Sequence, residues 1–410
     1  MRISILLLAA LAAATPALGQ VLTLDEARQR ALEAQPALRA LEHSWRAGQL
    51  SALADGALPD PRLKLGALNF PVRGFPGARD DMTQLGVSWE QTIPGGDKRK
   101  LRTERSHAEA NLSLAEAHGL MQTILRDVGF AWTDLWLATA NQRLYDELAA
   151  EHARAIEAGR NALGTGRGSQ GELLAARQAL NQVADRRLEL AAQGERARAG
   201  IVRWVPEAAS RPLPETLPAL AEPAPLEALR AALGAHPQHE MHTLQQSLAD
   251  ADVALAREAT KADRTLEVGY YARSGGRSDM LMFQIAFELP LFADRKQEST
   301  LAAKLRLAER AGELRADHLR QLRAELDSSY AEWRIAGQRV RNLTATILPD
   351  ARTRLEAQLA QYGAGATPLA SVFEARRALV EARMQELTLR AAQARARIAL
   401  QYYEDYGAHR

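Results

Sequence analysis

The sequence predicts an α+β membrane protein in which four β-strands per chain contribute to a trimeric 12-stranded transmembrane β-barrel, continued by a long α-helical coiled-coil barrel. Three observations predict this fold class. The chain is internally duplicated, each half carries one hairpin of alternating strands, and each half carries a very long helix. The 410 residues are 47% hydrophobic and 5% aromatic, a composition that favours helix and excludes wholesale disorder.

The duplication is clearest at two glycine-containing turns. Gly164 aligns with Gly363 and Gly166 with Gly365, about 200 residues further on. Two other landmarks repeat at nearly the same separation, Ala31–Pro36 with Ala232–Pro237 and Ile93–Pro94 with Leu289–Pro290. We therefore predict two structural repeats, 20–205 and 226–410, joined by a proline-rich linker over 206–225.

The first nineteen residues are typical of a secretory signal peptide, with a basic Arg2, an apolar run and small residues before Gln20. The chain contains no cysteine, so we expect no N-terminal lipid anchor. After the signal peptide no apolar run approaches ~18 residues, which predicts that strands make any membrane crossing. A net charge of only +2 argues against nucleic-acid binding.

In the first repeat, a capping box from Thr23 to Glu26 predicts the start of a helix, and a second helix follows Pro36. Polar and apolar residues then alternate in two segments, which predicts a strand hairpin at about 61–93. The long proline-free segment after it, the first glycine turn and a return helix predict a helical hairpin over 97–204.

The second repeat has the same order of elements. Alternating segments predict a strand hairpin at about 265–291, and a long helical hairpin is predicted over 294–403. Apolar residues from Leu319 to Ile347 keep a heptad spacing without a slip, which predicts a left-handed coiled seam, and Pro349 is expected to kink or restart the helix.

One face of the predicted strands is apolar, and we expect it to face lipid. Its members in the second strand of each hairpin are Leu85, Val87, Trp89, Leu281, Phe283, Ile285 and Phe287. Four strands cannot close a barrel, and an open sheet edge is not tolerated in lipid. Two copies would give a filled barrel of eight strands, so a trimer is the smallest assembly that is both closed and hollow.

The order of these elements resembles the TolC family of outer-membrane efflux proteins, and the layout is similar to the cobalt–zinc–cadmium (heavy-metal) efflux type. The resemblance rests on the Leu24-Asp-Glu-Ala27 and Ala31-Leu-Glu-Ala-Gln-Pro36 opening, both strand hairpins, the long helices and both glycine turns. It implies a homotrimer in the outer membrane of a Gram-negative bacterium that extends into the periplasm. It further implies a passive exit duct for heavy-metal cations, opened at its tip by a periplasmic adaptor (a membrane fusion protein) that links it to an inner-membrane RND-type pump.

The same resemblance implies roles for residues at the two turns. The adaptor-contact tips would be Gly164, Thr165, Gly166, Gly363, Ala364 and Gly365, and the gate or constriction would include Tyr362, Ser371 and Glu374. The gate departs from the family pattern at two positions. Ser371 replaces an acidic residue, and Thr367 replaces an arginine.

Other interpretations stay open. His236, His239 and His242 have a spacing that could ligate a metal, although histidines exposed near a helix start are the simpler interpretation. No catalytic motif or cofactor motif occurs, so we predict neither an enzyme nor a cofactor. The alternative functions are a duct for drug efflux or type I secretion and, from another class, a periplasmic coiled-coil adaptor.

Overall fold

A computed structural model describes residues 21–69, 82–164, 169–273 and 276–404. The predicted signal peptide and the tip residues Thr165 and Gly166 lie outside these ranges. None of the helices in the described ranges is long and apolar enough to cross a membrane.

The described chain contains nine α-helices and four strands. Those of the first half are α1 (Leu24–Ala34), α2 (Pro36–Gly56), β1 (Arg62–Leu68), β2 (Gln84–Ile93), α3 (Lys98–Gly164) and α4 (Gln170–Val202). Those of the second half are α5 (Leu226–Ala232), α6 (Pro237–Glu258), β3 (Arg264–Arg273), β4 (Met280–Phe287), α7 (Gln297–Asn342), α8 (Leu348–Gly363) and α9 (Leu369–Gln401).

Side chains flanking the helices explain where several of them begin. The Thr23 hydroxyl accepts a hydrogen bond from the Glu26 amide at 3.3 Å, which is one of the two bonds of the predicted capping box. The Glu26 carboxylate accepts hydrogen bonds from Arg30 and Arg211. Ser169 and Glu172 form a complete capping box at the start of α4. These caps satisfy amides that have no partner within the helix.

The four strands form one antiparallel sheet in the order β1-β2-β3-β4. The hairpin of the first half therefore pairs with that of the second half through β2 and β3, with Trp89 opposite Val268. Pairing joins each strand only to its neighbours in this order, which leaves one edge of β1 and one edge of β4 without a strand partner among the described residues.

The chain packs as two compact units. One comprises the described parts of Met1–Gln35, Met121–Arg230 and Ala324–Arg410, and the other comprises Pro36–Leu120 and Ala231–Arg323. Each unit draws on both halves of the chain. The predicted division into the repeats 20–205 and 226–410 with a linker over 206–225 stays a prediction.

The first unit is built around the middle of α3. Trp132 is almost fully buried, and its indole nitrogen donates to the carbonyl oxygen of Leu22 at 2.9 Å. One turn later, Trp136 donates to the carbonyl oxygen of Pro214 at 3.1 Å. These bonds attach two extended segments to one helix without burying unsatisfied backbone groups.

The second unit contains the sheet and the parts of four helices that adjoin it. Gly48 of α2 packs closely on Ala110 of α3, where an added Cβ would come within 2.8 Å of the alanine side chain. Asp252 of α6 then accepts hydrogen bonds from Arg105 of α3 at 2.6 Å and from Lys304 of α7 at 2.7 Å. The helices therefore follow the order α2-α3-α6-α7, which is the order of the strands that they adjoin.

The predicted heptad seam is wrong at its C-terminal end. A π-helical turn over Leu343–Ile347 separates α7 from α8, and Pro349 is the second residue of α8. A π turn inserts one residue, so the buried position moves from Ile347, which is 42% exposed, to Leu348, which is 7% exposed. Leu343 is buried as predicted, whereas Leu319 at the other end is 36% exposed.

Candidate functional site

The first candidate site is the apolar face of the sheet. The strand register aligns its side chains in continuous rows across the four strands. One row consists of Leu63, Trp89, Val268 and Phe283, and the next consists of Leu65, Val87, Tyr270 and Leu281. The seven residues predicted to face lipid all lie on this face and are 38–74% exposed. Their common face follows from strand alternation, and their contact with lipid stays a prediction.

The opposite face of the sheet is polar. Lys64 forms ion pairs with Glu90 and, at 3.0 Å, with Glu267, and Ser88 donates to Glu267 at 2.5 Å. Tyr271 covers Gly86 on the neighbouring strand, where an added Cβ would meet its ring at 2.1 Å. A sheet with one apolar exposed face and one polar face has the alternation of a membrane barrel wall.

The height of the apolar face also suits a membrane. Strands β2 and β3 are ten residues long. Ten residues at ~3.4 Å each, tilted by ~45°, cover roughly 24 Å along the membrane normal, close to the ~25 Å apolar band of outer-membrane barrels.

A partly buried ion pair links the two hairpins where they meet the helices. Asp263, directly before β3, accepts hydrogen bonds from the Gly95 amide at 2.8 Å and from the Lys98 ammonium at 2.6 Å. Lys98 also donates to the carbonyl oxygen of Lys261 at 2.7 Å. Burial raises the pKa of Asp263, but the bonds from Gly95 and Lys98 together outweigh it and hold the pKa below its ordinary value.

The second candidate site is the turn that joins α8 and α9. Gly365 has a φ of +72°, its amide donates to Tyr362, and the Ala366 amide donates to Gln361. This pattern is a Schellman motif, in which a glycine ends the helix because only glycine adopts positive φ without strain. Pro368 then precedes α9.

The other predicted tip residues have less restrictive surroundings. Gly363 is the last residue of α8, Ala364 follows in a helical conformation, and Gly164 ends α3. An added Cβ would meet no atom within 4 Å at either Gly164 or Gly363. Among the described tip residues, the backbone therefore demands glycine at Gly365. That these turns contact an adaptor stays a prediction.

Tyr362 lies where three helices converge. Its ring packs against a buried cluster that consists of Ile156, Ala176, Leu369, Val372 and Phe373 from α3, α4 and α9. The predicted role of Tyr362 at a closed tip is untested, but its contacts connect both helical hairpins. The Thr367 hydroxyl lies 3.4 Å from the Gln358 side-chain oxygen.

Of the predicted gate residues, Tyr362 lies on α8, and Ser371 and Glu374 lie on the first turns of α9. Ser371 is half-buried and Glu374 is exposed. Glu374 lines a groove of about 380 Å³ between α3, α4 and α9 that also contains Arg186 and Arg377. Their place in a constriction stays a prediction, since a constriction would require further copies of the chain.

His152, for which no motif in the sequence predicted a role, lies in the wall of the same groove. Its side chain is almost fully buried, and its ring centre is 4.5 Å from that of Phe373. Neither ring nitrogen has a hydrogen-bond partner among the described residues. Burial, reinforced by the charge of Arg376, lowers the pKa of His152 to about 4. Its spacing of four from Leu148 and Ile156 places it on an apolar helix stripe, which could have identified it.

The three histidines considered as metal ligands have different surroundings. His236 is buried and caps α6, accepting from the Gln238 amide at 3.2 Å. His242 lies against His318 of α7 with ring centres 4.3 Å apart, and burial lowers the pKa of both His239 and His242. Within the described ranges, no group of three metal-ligating side chains is arranged to hold an ion.

Comparison with known proteins agrees with this geometry. The family model described as "Outer membrane efflux protein" matches residues 27–204 and 228–403. No curated protein matches in a sequence search.

Solved structures share the fold over nearly the whole chain. CusC, described in terms of transmembrane channel formation, has a TM-score of 0.79 at 16% identity, covering 94% of this chain and 92% of its own. VceC from Vibrio cholerae has a TM-score of 0.77 at 18% identity, and the match covers 93% of this chain and 95% of VceC. The CmeC channel from Campylobacter jejuni has a TM-score of 0.80 at 13% identity, and the match covers 94% of this chain and 86% of CmeC.

At these identities the structural likeness shows the fold alone, and the family follows from the match to the family model over most of the chain. The chain belongs to the outer membrane efflux protein family, whose members are passive channels and not enzymes.

Proposed function

We propose that three copies of this chain close their sheets into a 12-stranded barrel in the outer membrane and form the exit duct of a tripartite efflux pump. The observation that carries the proposal is an exposed apolar sheet face whose two edges have no strand partner within the part of the chain that the structure describes. In lipid, unpaired backbone groups at a sheet edge are costly, so the edges must meet further copies.

The long helices then extend into the periplasm, and the turns at Gly164 and Gly365 are the surfaces that dock to a periplasmic adaptor. The adaptor connects the duct to an inner-membrane RND-type pump and opens the tip. Glu374 supplies a ring of three carboxylates near the opening, and Ser371 and Tyr362 complete the constriction. The exposed position of Glu374 on α9 and the packing of Tyr362 between the hairpins support this assignment.

The proposed cargo is heavy-metal cations. Its support is the likeness of the sequence layout to the cobalt–zinc–cadmium efflux type. A duct passes its cargo through water, so the cargo needs no resident ligand set. Cells lacking the gene distinguish the three cargoes. A metal duct predicts that these cells accumulate Zn²⁺, Co²⁺ or Cd²⁺. Accumulation of a drug-pump substrate or loss of protein secretion would indicate one of the two alternatives.

The barrel itself is tested with a pair of neighbouring substitutions on β4. Ile285→Arg places a charge on the apolar face and should cost ~2–4 kcal/mol near the membrane centre, which prevents accumulation of a heat-modifiable trimer in the outer-membrane fraction. Gln284→Arg places the same charge on the opposite face and should leave the trimer intact. Normal assembly of Ile285→Arg would refute the proposed lipid-facing surface.

A further inference from the structure

One charged side chain lies on the apolar face of the sheet. In the strand register, Arg264 of β3 lies between Ile93 of β2 and Phe287 of β4. Strand alternation places its side chain on the same face as those of Leu266 and Val268. Among the described strand residues on this face, Arg264 alone carries a formal charge. A charge on an apolar surface is costly unless water or a partner solvates it.

Arg264 lies at the end of the sheet that adjoins the helices. It is the first residue of β3, and Ile93 and Phe287 are the last residues of β2 and β4. Under the proposed function this end of the sheet faces the periplasm, so the row lies where the apolar band of the membrane meets the headgroups of the inner leaflet. An arginine at this level can lay its apolar stem along the sheet and extend its guanidinium group to the headgroups.

The guanidinium group of Arg264 has no protein partner. Arg264 is exposed, and its side chain forms no ion pair or hydrogen bond with any residue that the structure describes. The preceding Asp263 binds Lys98 and the Gly95 amide. Strand β3 is flanked by β2 and β4, so a neighbouring copy that meets an edge of the sheet leaves Arg264 uncovered. Its partner must therefore come from the surroundings of the proposed trimer.

The chain after β4 adds exposed apolar side chains at the same end of the sheet. The Glu288 amide donates to the carbonyl oxygen of Asp263 at 3.3 Å, which continues the strand pairing one residue beyond β4. Alternation then returns Leu289 to the apolar face. Leu289, Leu291 and Phe292 are 69–77% exposed. A cation beside an exposed apolar surface suits a ligand that has both an anionic group and apolar chains.

We infer that Arg264 binds the phosphate of a phospholipid in the periplasmic leaflet of the outer membrane, and that the acyl chains of this lipid pack along the apolar face beside Leu266 and Ile285. The planar guanidinium group can donate two parallel hydrogen bonds to phosphate oxygens. The inference rests on the proposed function. It adds a lipid ligand for each sheet and the side chain that recognises the phosphate of that ligand.

Native mass spectrometry of the detergent-solubilised trimer can count the bound lipids. Titration with palmitoyl-oleoyl phosphatidylglycerol should give one saturable adduct per chain in the wild type. Arg264→Gln removes the charge and should weaken this binding about tenfold, as expected for the loss of a charge-assisted hydrogen bond. The matched control is Arg62→Gln, which removes an exposed arginine from the opposite face of the sheet, where it pairs with Glu90 at 3.5 Å. This variant should bind the lipid as the wild type does.

Two further probes separate the phospholipid from other ligands. Palmitoyl-oleoyl glycerol has the same acyl chains without phosphate and should bind the wild type more weakly than phosphatidylglycerol. Inorganic phosphate should not displace the phospholipid, because it lacks the acyl chains. Equal binding of phosphatidylglycerol to Arg264→Gln and the wild type, equal binding of the two lipids to the wild type, or displacement by inorganic phosphate would overturn the inference, while the intact trimer would leave the proposed duct standing. A wild-type chain that yields no trimer from the outer-membrane fraction would refute the duct itself.

Discussion

Protonation of His152 should weaken the packing of α3 against α9. The imidazole is buried against Phe373 with no hydrogen-bond partner among the described residues, and its pKa of about 4 lies below the ordinary value of 6.5. When α3 and α9 separate, His152 is exposed to water and its pKa returns to the ordinary value. Between pH 6.5 and about 4, this opened state therefore binds more protons than the packed state. The stability that neutral His152 contributes is therefore fully present above pH ~6.5 and is lost as the pH falls towards about 4.

The size of the effect follows from the two pKa values. Protonation of His152 lowers the free energy of opening this segment by only about 0.2 kcal/mol at pH 7, but by about 2 kcal/mol at pH 5. These values follow because each pKa unit corresponds to ~1.4 kcal/mol. Opening of the segment around His152 should therefore become about 20-fold to 30-fold more favourable between pH 7 and pH 5.

Hydrogen exchange detects such local opening without unfolding the whole assembly. Peptides that cover residues 144–156 and 369–380 should lose protection at pH 5 after correction for the intrinsic exchange rate. His152→Leu puts a side chain that cannot be protonated at this position and should abolish the loss of protection at pH 5. His43→Leu, at an exposed position on α2, should leave that loss unchanged. Equal loss of protection in the wild type and in His152→Leu would refute the reasoning.

Three further predictions concern the hairpin junction, the turn and the gate. Asp263→Asn weakens the hydrogen bonds with Lys98 and Gly95 and should lower stability by about 1–3 kcal/mol in thermal unfolding, whereas Asp250→Asn at an exposed site should have little effect. Gly365→Ala places a side chain on a residue with positive φ and should cost ~1 kcal/mol of local stability, measured by hydrogen exchange over residues 355–366. Gly363→Ala, in helical backbone with open space around it, should be neutral or slightly stabilising. A larger loss of stability from Gly363→Ala than from Gly365→Ala would contradict the turn geometry. Glu374→Ala should reduce cation selectivity in reconstituted trimers, and unchanged conductance and selectivity would remove Glu374 from the constriction.

Local patterns in the sequence were sufficient to predict the strands and their faces. Alternation along β4 places Leu281, Phe283, Ile285 and Phe287 on one face because the side-chain period of a strand is two. The family match confirms the predicted outer-membrane efflux family and the prediction that the chain is not an enzyme. The heavy-metal type stays a proposal, because cargo choice leaves no pattern in a water-filled duct.

The sequence was less informative where one residue changes the phase of a helix or where burial decides chemistry. The heptad spacing extends through Ile347, but the π turn before Pro349 shifts the buried position to Leu348. His152 lacks a motif, and its altered pKa arises from the helices that enclose it. Gly363 and Gly365 look equivalent in the sequence, and only the backbone conformation shows that Gly365 is the position that needs glycine.

The most direct test of the account is electron cryomicroscopy of the full chain in lipid nanodiscs. We predict particles with three-fold symmetry in which a hollow barrel crosses the disc, with the apolar face of each sheet towards lipid. Particles that do not cross the disc, or a different symmetry, would contradict the central claim that three copies of the four-stranded sheet form one transmembrane duct.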